Sequence, residues 1–219
     1  MGRKSWEDRG VDSSAEERQV QRDQEIARTR ILDTAARLIG EAGFARLKIG
    51  MICARTGYPS GVVYQLFGSK ETLVQRLVEF AAEKFADVFG AAVATRTGGL
   101  TPSPMDMLRA LLDIFFELLT DMPPLNRAFV VLWTDATVGD PAVRSAMTEA
   151  DRRYRFAIAQ TVAAGLADGS ITGVRDPDAY AAALVGQLRG IAVASIIDPG
   201  GIDLRAVRAE MEYAVDRLA

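Results

Sequence analysis

Three short runs of apolar residues at helical spacing, each closed by a glycine, constrain this fold more than any other feature. The first run follows the i, i+4, i+7, i+8, i+11 pattern of one helix face. The closing glycines stand where left-handed helix C-caps belong. The runs are Ile31, Ala35, Leu38, Ile39 and Ala42 before Gly43, then Ile49, Ile52 and Cys53 before Gly57, and then Val63, Leu66 and Phe67 before Gly68. Such faces can be buried only against one another, so the sequence predicts a compact three-helix unit over residues 22–70.

Longer helices are predicted after residue 70. Glycine and proline breaks separate six helical segments, and no credible alternating strand pattern occurs between them. The predicted spans are 71–96, 104–121, 125–137, 141–168, 177–197 and 203–218. The sequence therefore predicts an all-α fold, in which a three-helix N-terminal domain precedes a six-helix bundle over residues 71–219.

Composition excludes several classes of chemistry. The 219 residues contain no histidine and one cysteine, which argues against histidine-based catalysis, most zinc sites and an internal disulfide. No apolar run approaches the roughly 20 residues of a membrane span. The N-terminus lacks the apolar segment of a signal peptide, so we expect a cytoplasmic protein without a membrane partner. Residues 1–21 alternate charges without a period, which predicts a disordered or frayed tail.

Charge is distributed unevenly along the chain. The whole sequence carries a net charge of −3, but residues 1–70 carry +3 and residues 71–219 carry −6. The interval 22–70 alone carries +4. A basic N-terminal block on an acidic body is the asymmetry expected when one end of a protein meets a polyanion.

The segment TGYPSGVVYQLFGSK, residues 56–70, is typical of a helix-turn-helix that we place at about 48–67. A two-turn helix follows a tight glycine turn, and Val63, Leu66 and Phe67 occupy its inner face. The outer face holds no carboxylate, which suits the DNA major groove. Its residues are Ser60, Gly61, Val62, Tyr64 and Gln65. A plain three-helix unit with a solvated outer face is the alternative interpretation.

Two roles are predicted within the DNA-binding set, contact with bases and contact with phosphates. Gln65 can pair with adenine, and Val62 can contact a thymine methyl group. Four further side chains are placed to reach phosphates, which position the helix without reading sequence. They are Lys48, Thr56, Tyr64 and Lys70.

The run from Ile31 through Glu79 (ILDTAARLIGEAGF…IGMICARTGYPSGVVYQLFGSKETLVQRLVE) resembles the N-terminal domain of the tetracycline-repressor (TetR) family. The later segments DPAVRSAMTEADRRYRFAIAQTVAAGLADGSI and DPDAYAAALVGQLRGIAVASIIDP are similar to the C-terminal regulatory domain of many members. The resemblance implies a homodimeric, ligand-responsive DNA-binding transcriptional regulator. The expected activity is that of a repressor, released from a two-fold operator in double-stranded DNA by a small molecule.

Three departures from the family pattern bear on operator preference. Leu47-Lys48 replaces the usual hydroxyl residues before the second helix. Pro59 replaces a serine at the start of the third helix; proline suits a first-turn position, but one phosphate contact is lost. Val62 replaces a hydroxyl residue at a base-reading position. The DNA sequence preference of this chain is therefore expected to differ from that of typical members, while Tyr64 and Lys70 remain.

The second and third body helices are apolar around most of their circumference, which is typical of central helices. The resemblance implies an effector pocket among them, for an apolar or amphipathic ligand. The predicted pocket residues are Met107, Leu111, Phe115, Phe116, Phe129 and Trp133. A solid core without a cavity is the alternative. Candidate polar groups near the chamber are Asp113, Glu117, Thr134, Asp135 and Gln160.

Asp113 and Glu117 allow two interpretations. Both carboxylates stand in apolar surroundings and could meet a cationic ligand. An ion pair between Asp113 and Arg109, four positions earlier, is the simpler explanation for one of them. No cofactor or metal ion is implied by the sequence.

The last two helices predict a dimer interface. Residues 178–197 are dense in alanine and glycine, and the last helix carries an apolar seam at 3–4 spacing. Pairing both helices with their copies in a second chain would hide an apolar patch. The predicted interface residues are Leu184, Leu188, Ile191, Leu204, Val207, Met211 and Val215.

Two other classes of function compete with a regulator. An enzyme would need a nucleophile, an acid–base pair or a metal set, and the sequence presents none, so no enzymatic activity is expected. A helical interaction protein with a degenerate DNA-reading head is the remaining alternative, because Pro59 and Val62 depart from the family pattern.

Overall fold

Proline or glycine stands at one or both ends of most of the helices. The computed structural model describes residues 8–219, and the side chains of residues 15–219. That part of the chain contains nine α-helices, a 3-10 turn at Phe44–Arg46 and no strand, so the all-α prediction is confirmed. Helices α1 to α9 are Asp8–Ala42, Ile49–Thr56, Ser60–Phe67, Lys70–Thr97, Pro104–Asp121, Pro124–Val138, Pro141–Asp168, Pro177–Ile197 and Leu204–Asp216.

The predicted N-terminal tail is wrong over residues 8–21, which belong to helix α1. Residues 1–7 of that predicted tail lie outside the described residues. Side chains 15–26 are all exposed, so this part of α1 lacks the buried apolar face from which a helix is predicted in a sequence. Its glutamate, arginine and glutamine residues nevertheless have high helix propensity, and Gln19 donates a hydrogen bond of 2.9 Å to Asp23 one turn later.

Several helices of the body begin with the same chemistry, an acidic or hydroxyl N-cap. Ser103 and Asp106 form a reciprocal capping box at the start of α5, where Pro104 occupies the first helical position. Asp140 and Asp176 accept backbone N–H groups in the first turns of α7 and α8, each again followed by a proline. These local signals explain why the starts of α5, α7 and α8 can be predicted from the sequence.

Two hydrophobic clusters form the core. The first runs from α1, α2 and α3 through the N-terminal half of α4 into α6 and α7, and it includes Ile39, Ile52, Val63, Leu132 and Met147. Each of these five side chains is at most 1% exposed. The core of the three-helix unit therefore continues into the body without a break.

The second cluster joins α5, α7, α8 and α9. Leu112, Val162, Leu184 and Val215 are among its members, and all are buried. Ion pairs reinforce the junction at its surface, where Asp113 contacts both Arg96 of α4 and Arg208 of α9. The second cluster therefore fixes the C-terminal helices against the body.

Helix α8 corrects the expectation that no segment is long and apolar enough to cross a membrane. Its best 18-residue window has a mean hydropathy of 1.5, and 28% of that window is buried. Length and composition alone are weak evidence, and Leu184 and Leu188 pack in the protein's own core while Arg189 pairs with Asp151 of α7. The low burial instead leaves apolar surface on α8.

Candidate nucleic-acid interface and ligand cavity

Helices α2 and α3 are joined by a turn that begins at a left-handed glycine. Gly57 has φ 78° and its N–H donates to the Cys53 carbonyl, which ends α2. Pro59 is the N-cap of α3, and its carbonyl accepts the Val62 N–H at 3.0 Å. Pro59 therefore stands one position before the first helical turn in which the sequence placed it, and it offers no side-chain hydrogen bond to the helix.

The two sides of α3 differ in the way that a groove-binding helix requires. Val63 and Phe67 are 1% and 4% exposed and belong to the first core cluster. Ser60, Gly61 and Gln65 are exposed, Tyr64 is 52% exposed, and Val62 is half-buried. The outward side is uncharged and is not packed against the body, so it is free to meet another molecule.

Thr56 does not belong with the phosphate-contacting candidates. Its side chain is buried, and its hydroxyl donates to the Ile52 carbonyl at 2.8 Å. The same oxygen accepts the Tyr58 N–H at 3.3 Å. Both bonds hold the turn after α2, so Thr56 shapes the interface without reaching DNA.

Positive charge flanks α3. Lys48 is exposed at the N-cap of α2. Lys70 is the first residue of α4, and its amine lies 4.0 Å from the centroid of the Phe44 ring. Arg30 of α1 lies over the Tyr58 ring, at 5.8 Å from its centroid. Sequence reasoning missed Arg30 and Tyr58, because only the folded chain brings α1 beside this turn.

One further arginine near this surface is already paired. Arg55 donates two hydrogen bonds to the carboxylate of Glu41, at 3.0 Å and 2.8 Å. The same hydrogen bonding lowers the pKa of Glu41, so the pair remains ionised at neutral pH. The basic excess of residues 22–70 is thus carried by other side chains.

A cavity of about 170 Å³ lies among α4, α5, α6, α7 and α8. Its lining is largely apolar and rich in aromatic rings, as in small-molecule sites. Tyr154 holds the ring cluster together, because it meets Phe85 and Phe129 edge to face at 5.7 Å and 6.0 Å between centroids. The sequence allowed a solid core without a cavity as an alternative, and the structure instead contains a cavity.

The predicted pocket residues divide into two groups. Leu111, Phe115, Phe129 and Trp133 line the cavity, whereas Met107 and Phe116 do not. Phe116 is 3% exposed and packs edge to face on Phe115, with ring centroids 5.1 Å apart. Consecutive residues of a helix point about 100° apart, so one phenylalanine faces the cavity and the other the core.

The polar groups of the cavity are not those that the sequence suggested. Asn126, Tyr154 and Arg189 line it. The five predicted polar candidates, Asp113, Glu117, Thr134, Asp135 and Gln160, lie outside the lining. Asp113 is taken by Arg96 and Arg208, and its predicted partner Arg109 instead contacts Asp216 at 2.8 Å. Asp113 and Arg109 thus form ion pairs with residues of other helices and not with each other along α5.

Three of the predicted dimer residues are buried within the single chain. Leu184, Leu188 and Val215 belong to the second core cluster and are at most 8% exposed, so they are removed from the candidate interface. The remaining four, Ile191, Leu204, Val207 and Met211, are half-buried. Large apolar side chains are also exposed on α7, α8 and α9, where Phe156, Ile197 and Tyr213 are between 58% and 77% exposed.

Helix α6 touches both candidate sites. Asn126, Phe129, Val130 and Trp133 face the cavity. On another side of α6, Arg127 Nε donates to the Gly40 carbonyl at 3.0 Å. Asp135 accepts the Phe44 N–H at 2.7 Å. The helix that forms one wall of the cavity is therefore bonded directly to the end of α1 and the turn after it.

With a helix-turn-helix at one end and an apolar cavity in the body, the chain matches two family descriptions. Residues 31–77 match bacterial regulatory proteins of the TetR family, and residues 104–219, more than half of the chain, match the C-terminal domain of BetI-type transcriptional repressors. The chain belongs to the TetR family of bacterial transcriptional regulators, with a C-terminal domain of the BetI type.

Particular relatives agree with this assignment. The chain is 24% identical over 120 residues to the transcriptional regulator BetI of Burkholderia thailandensis, and this match spans 55% of the chain and 59% of the relative. It is 24% identical over 199 residues to BetI 1 of Chromohalobacter salexigens, spanning 90% and 92% of the two chains. This chain therefore spans somewhat over half the length of the Burkholderia relative.

Solved structures share the fold. A TetR transcriptional regulator from Chloroflexus aurantiacus superposes with a TM-score of 0.76 at 25% identity, covering 90% of this chain and 100% of that one. A transcriptional regulator from Saccharomonospora viridis, solved in complex with choline, superposes with a TM-score of 0.68 at 22% identity, covering 88% and 96%.

Proposed function

We propose that this protein is a cytoplasmic, homodimeric transcriptional repressor that binds duplex operator DNA and is released by a small molecule. The observation that carries the proposal is the outward side of α3, which is exposed and free of carboxylates although its inner side is fixed in the core. The family is one of DNA-binding regulators and not of enzymes, which supports the same activity.

The roles on the DNA follow from side-chain chemistry. Gln65 reads adenine and Val62 packs on a thymine methyl group in the major groove. Lys48, Tyr64 and Lys70 bind phosphates and fix the position of α3. Ser60 and Gly61 let the start of the helix approach the base edges closely. Residues 22–70 thus form the proposed DNA-binding domain, and residues 71–219 the effector-binding and dimerisation domain.

The dimer is proposed to form through α8 and α9. Gly186 and Gly190 on α8 are exposed, and a Cβ atom added at either would meet no atom within 4 Å. Such an open, small-residue surface lets a second helix approach closely. A two-fold dimer would present its two α3 helices to half-sites about one DNA turn, or roughly 34–36 Å, apart.

The proposed release mechanism uses the cavity. A ligand that binds better to a state with mismatched α3 helices shifts the equilibrium toward that state. A coupling free energy of about 1–3 kcal/mol is enough for a modest switch. Helix α6 is the proposed connection, since it lines the cavity and is bonded to Gly40 and Phe44.

Substitutions on α3 and α4 test the DNA interface. We expect Tyr64→Ala and Lys70→Ala to weaken binding to all DNA sequences. Lys70→Ala should also reduce the slope of log affinity against log salt by about two, because the dimer loses one phosphate contact from each subunit. Gln65→Ala should change sequence preference more than affinity. Fluorescence anisotropy on a selected operator and on random duplexes over a salt series measures all three.

A matched control lies on the exposed side of α4. Lys84 is exposed, and its described contacts are with Asp87 and the Phe80 ring on the same helix, so Lys84→Ala should leave DNA binding unchanged. If the dimer ignores DNA at low ionic strength, the regulator proposal fails. A helical interaction protein with a degenerate reading head would then be the better account.

A further inference from the structure

The charge of the cavity wall comes from one side chain. Of the described residues that line the cavity, Arg189 alone carries a formal charge, and no aspartate or glutamate is among them. The Arg189 guanidinium carbon lies 3.4 Å from the centroid of the Trp133 ring. Arginine stacked in this way is held in position on a wall that is otherwise apolar.

The partner of Arg189 is shared. Asp151 of α7 contacts Arg189 and also Arg155, the latter at 2.8 Å. One carboxylate between two guanidinium groups leaves an excess of positive charge, and only Arg189 of the two arginines lines the cavity. Asp151 is itself only 16% exposed, so solvent screens this cluster less than a surface pair.

The neutral polar groups add hydrogen-bond donors. Burial raises the pKa of Tyr154 to about 12, so its hydroxyl stays protonated over the physiological range and can donate. The Asn126 amide supplies N–H donors as well as a carbonyl acceptor. Arg189, Tyr154 and Asn126 together offer an anion more partners than they offer a cation.

An organic cation meets a poor site here despite the aromatic rings of the lining. The face of an indole is the best π surface for a cation, but one face of Trp133 is already covered by Arg189. The Phe129 ring packs edge to face with Trp133 and with Tyr154, each at 6.0 Å between ring centroids. A second positive charge in this cavity would be repelled by Arg189 with no carboxylate in the lining to offset it.

We propose that the cavity binds a small organic monoanion, a carboxylate on an aromatic or short apolar body, with its charged head on Arg189. The inference rests on the proposed function only in taking this cavity as the effector site. An enclosed apolar cavity of about 150 Å³ is known to hold benzene, so about 170 Å³ accommodates a body of roughly one ring. The ligand class thus differs from the choline held by the Saccharomonospora viridis structure.

Three probes that share a ring but differ in head charge test the proposal on the full-length dimer. They are phenylacetate, phenylacetamide and 2-phenylethylammonium, with choline as a fourth. Isothermal titration without DNA should give phenylacetate an affinity at least about tenfold above that of phenylacetamide, since a charge-assisted hydrogen bond exceeds a neutral one. Neither cation should bind at millimolar concentration.

Variants of Arg189 separate charge recognition from folding. Arg189→Gln should remove the preference for phenylacetate over phenylacetamide, and Arg189→Lys should retain part of it. Asp151 keeps Arg155 as a partner in both variants, so no carboxylate is left unpaired. Arg152→Gln, which removes an arginine that is 73% exposed on α7 and is not in the cavity lining, should leave all four affinities unchanged.

Several outcomes would overturn the proposal. These are tighter binding of choline or 2-phenylethylammonium than of phenylacetate, no binding of phenylacetate, or an anion preference that survives in Arg189→Gln. Binding to random duplex DNA, measured in parallel without ligand, tests the regulator separately. A protein that binds DNA but shows no anion preference keeps its proposed function and loses this ligand class.

Discussion

Asp135 shows how one side chain can fix a junction between distant parts of the chain. Its carboxylate accepts the Phe44 N–H at 2.7 Å, across 91 positions of sequence. The neighbouring Gly43 has φ 80° and ψ 163°, a conformation that only glycine adopts easily. A Cβ atom there would also come within 3.3 Å of Asp135 Oδ2. The glycine and the carboxylate are therefore matched to each other.

Removing this acceptor should destabilise the protein measurably. We expect Asp135→Ala to lower the free energy of unfolding by about 1–3 kcal/mol, because the partly buried Phe44 N–H loses its partner. Asp135→Asn keeps an oxygen acceptor and should lose less. Denaturant unfolding measures the stability, and hydrogen exchange of the Phe44 amide reports the bond itself.

Thr134→Ala is the control for this junction. The Thr134 side chain is exposed, and its hydroxyl donates only to the Val131 carbonyl of the same helix. Its substitution should change stability by no more than about 0.5 kcal/mol. Equal stability of Asp135→Ala and the wild type would show that the Phe44 N–H finds water or another acceptor.

The residue scale is where sequence reasoning reached its limit. Asp135 was predicted to be a polar group near the ligand chamber, yet its partner is the backbone N–H of Phe44 in the three-helix unit. Arg189 was not selected, since a lone arginine in an alanine-rich helix carries no sign that Trp133 and Asp151 will meet it. Contacts between helices far apart in sequence leave no periodic signal.

At the scale of elements, α8 presents one face to the core and another that is open. Leu184 and Leu188 are buried, whereas Gly186 and Gly190 stand on the outer side with nothing near them. Glycine inside a helix lowers its stability by roughly 0.8–1.0 kcal/mol relative to alanine. In the proposed dimer, the close approach of a second chain would account for two glycines on this open helix face.

A charged side chain on that face should separate the subunits without unfolding them. Gly190→Glu replaces glycine with a better helix former and adds its side chain to open space, so the single chain should remain folded. We expect the variant to sediment as a monomer, because two buried carboxylates would face each other across the two-fold axis. Analytical ultracentrifugation measures the change.

Gly90→Glu is the matched control for the α8 substitution. Gly90 is also a helical glycine at which an added Cβ atom would meet nothing within 4 Å, but it lies on α4. This variant should keep the sedimentation coefficient of the wild type. If Gly190→Glu also remains dimeric, the interface lies elsewhere than on the outer face of α8.

The helices themselves were largely predictable. The predicted spans of α5, α7 and α8 agree with the structure, because a proline at the first helical position and an acidic or hydroxyl cap mark each start. The start of α1 was not predictable from hydrophobic periodicity, since residues 15–26 are exposed on all sides. Local signals thus define helix ends well, and apolar patterns detect only helices with a buried face.

At the scale of the molecule, the three-helix N-terminal unit and the six-helix body share the first hydrophobic cluster. Val63 of α3 and Leu132 of α6 belong to the same cluster, although they lie on opposite sides of the proposed domain boundary at residue 70. Leu112 of α5 belongs to the second cluster. Packed side chains therefore connect α6 with α3, and the proposed release mechanism would use this connection.

Two truncations of similar cost should distinguish the clusters. Leu132→Ala and Leu112→Ala each remove a leucine that is at most 1% exposed, at an expected loss of about 2–5 kcal/mol. At matched loss of global stability, hydrogen exchange of the Val63 and Phe67 amides should rise more in Leu132→Ala. Equal protection in the two variants would mean that α3 is held independently of α6.

The outer face of α3 and helix α6 differ in how many contacts they make within the protein, and this difference has an evolutionary consequence. Ser60, Gly61, Tyr64 and Gln65 support little of the protein's interior, so substitutions there can accumulate with little loss of folding. Helix α6 must satisfy the cavity on one flank and the N-terminal helices on another. After gene duplication, proteins with this architecture would acquire new target promoters readily. The coupling between effector binding and release from DNA would diverge slowly.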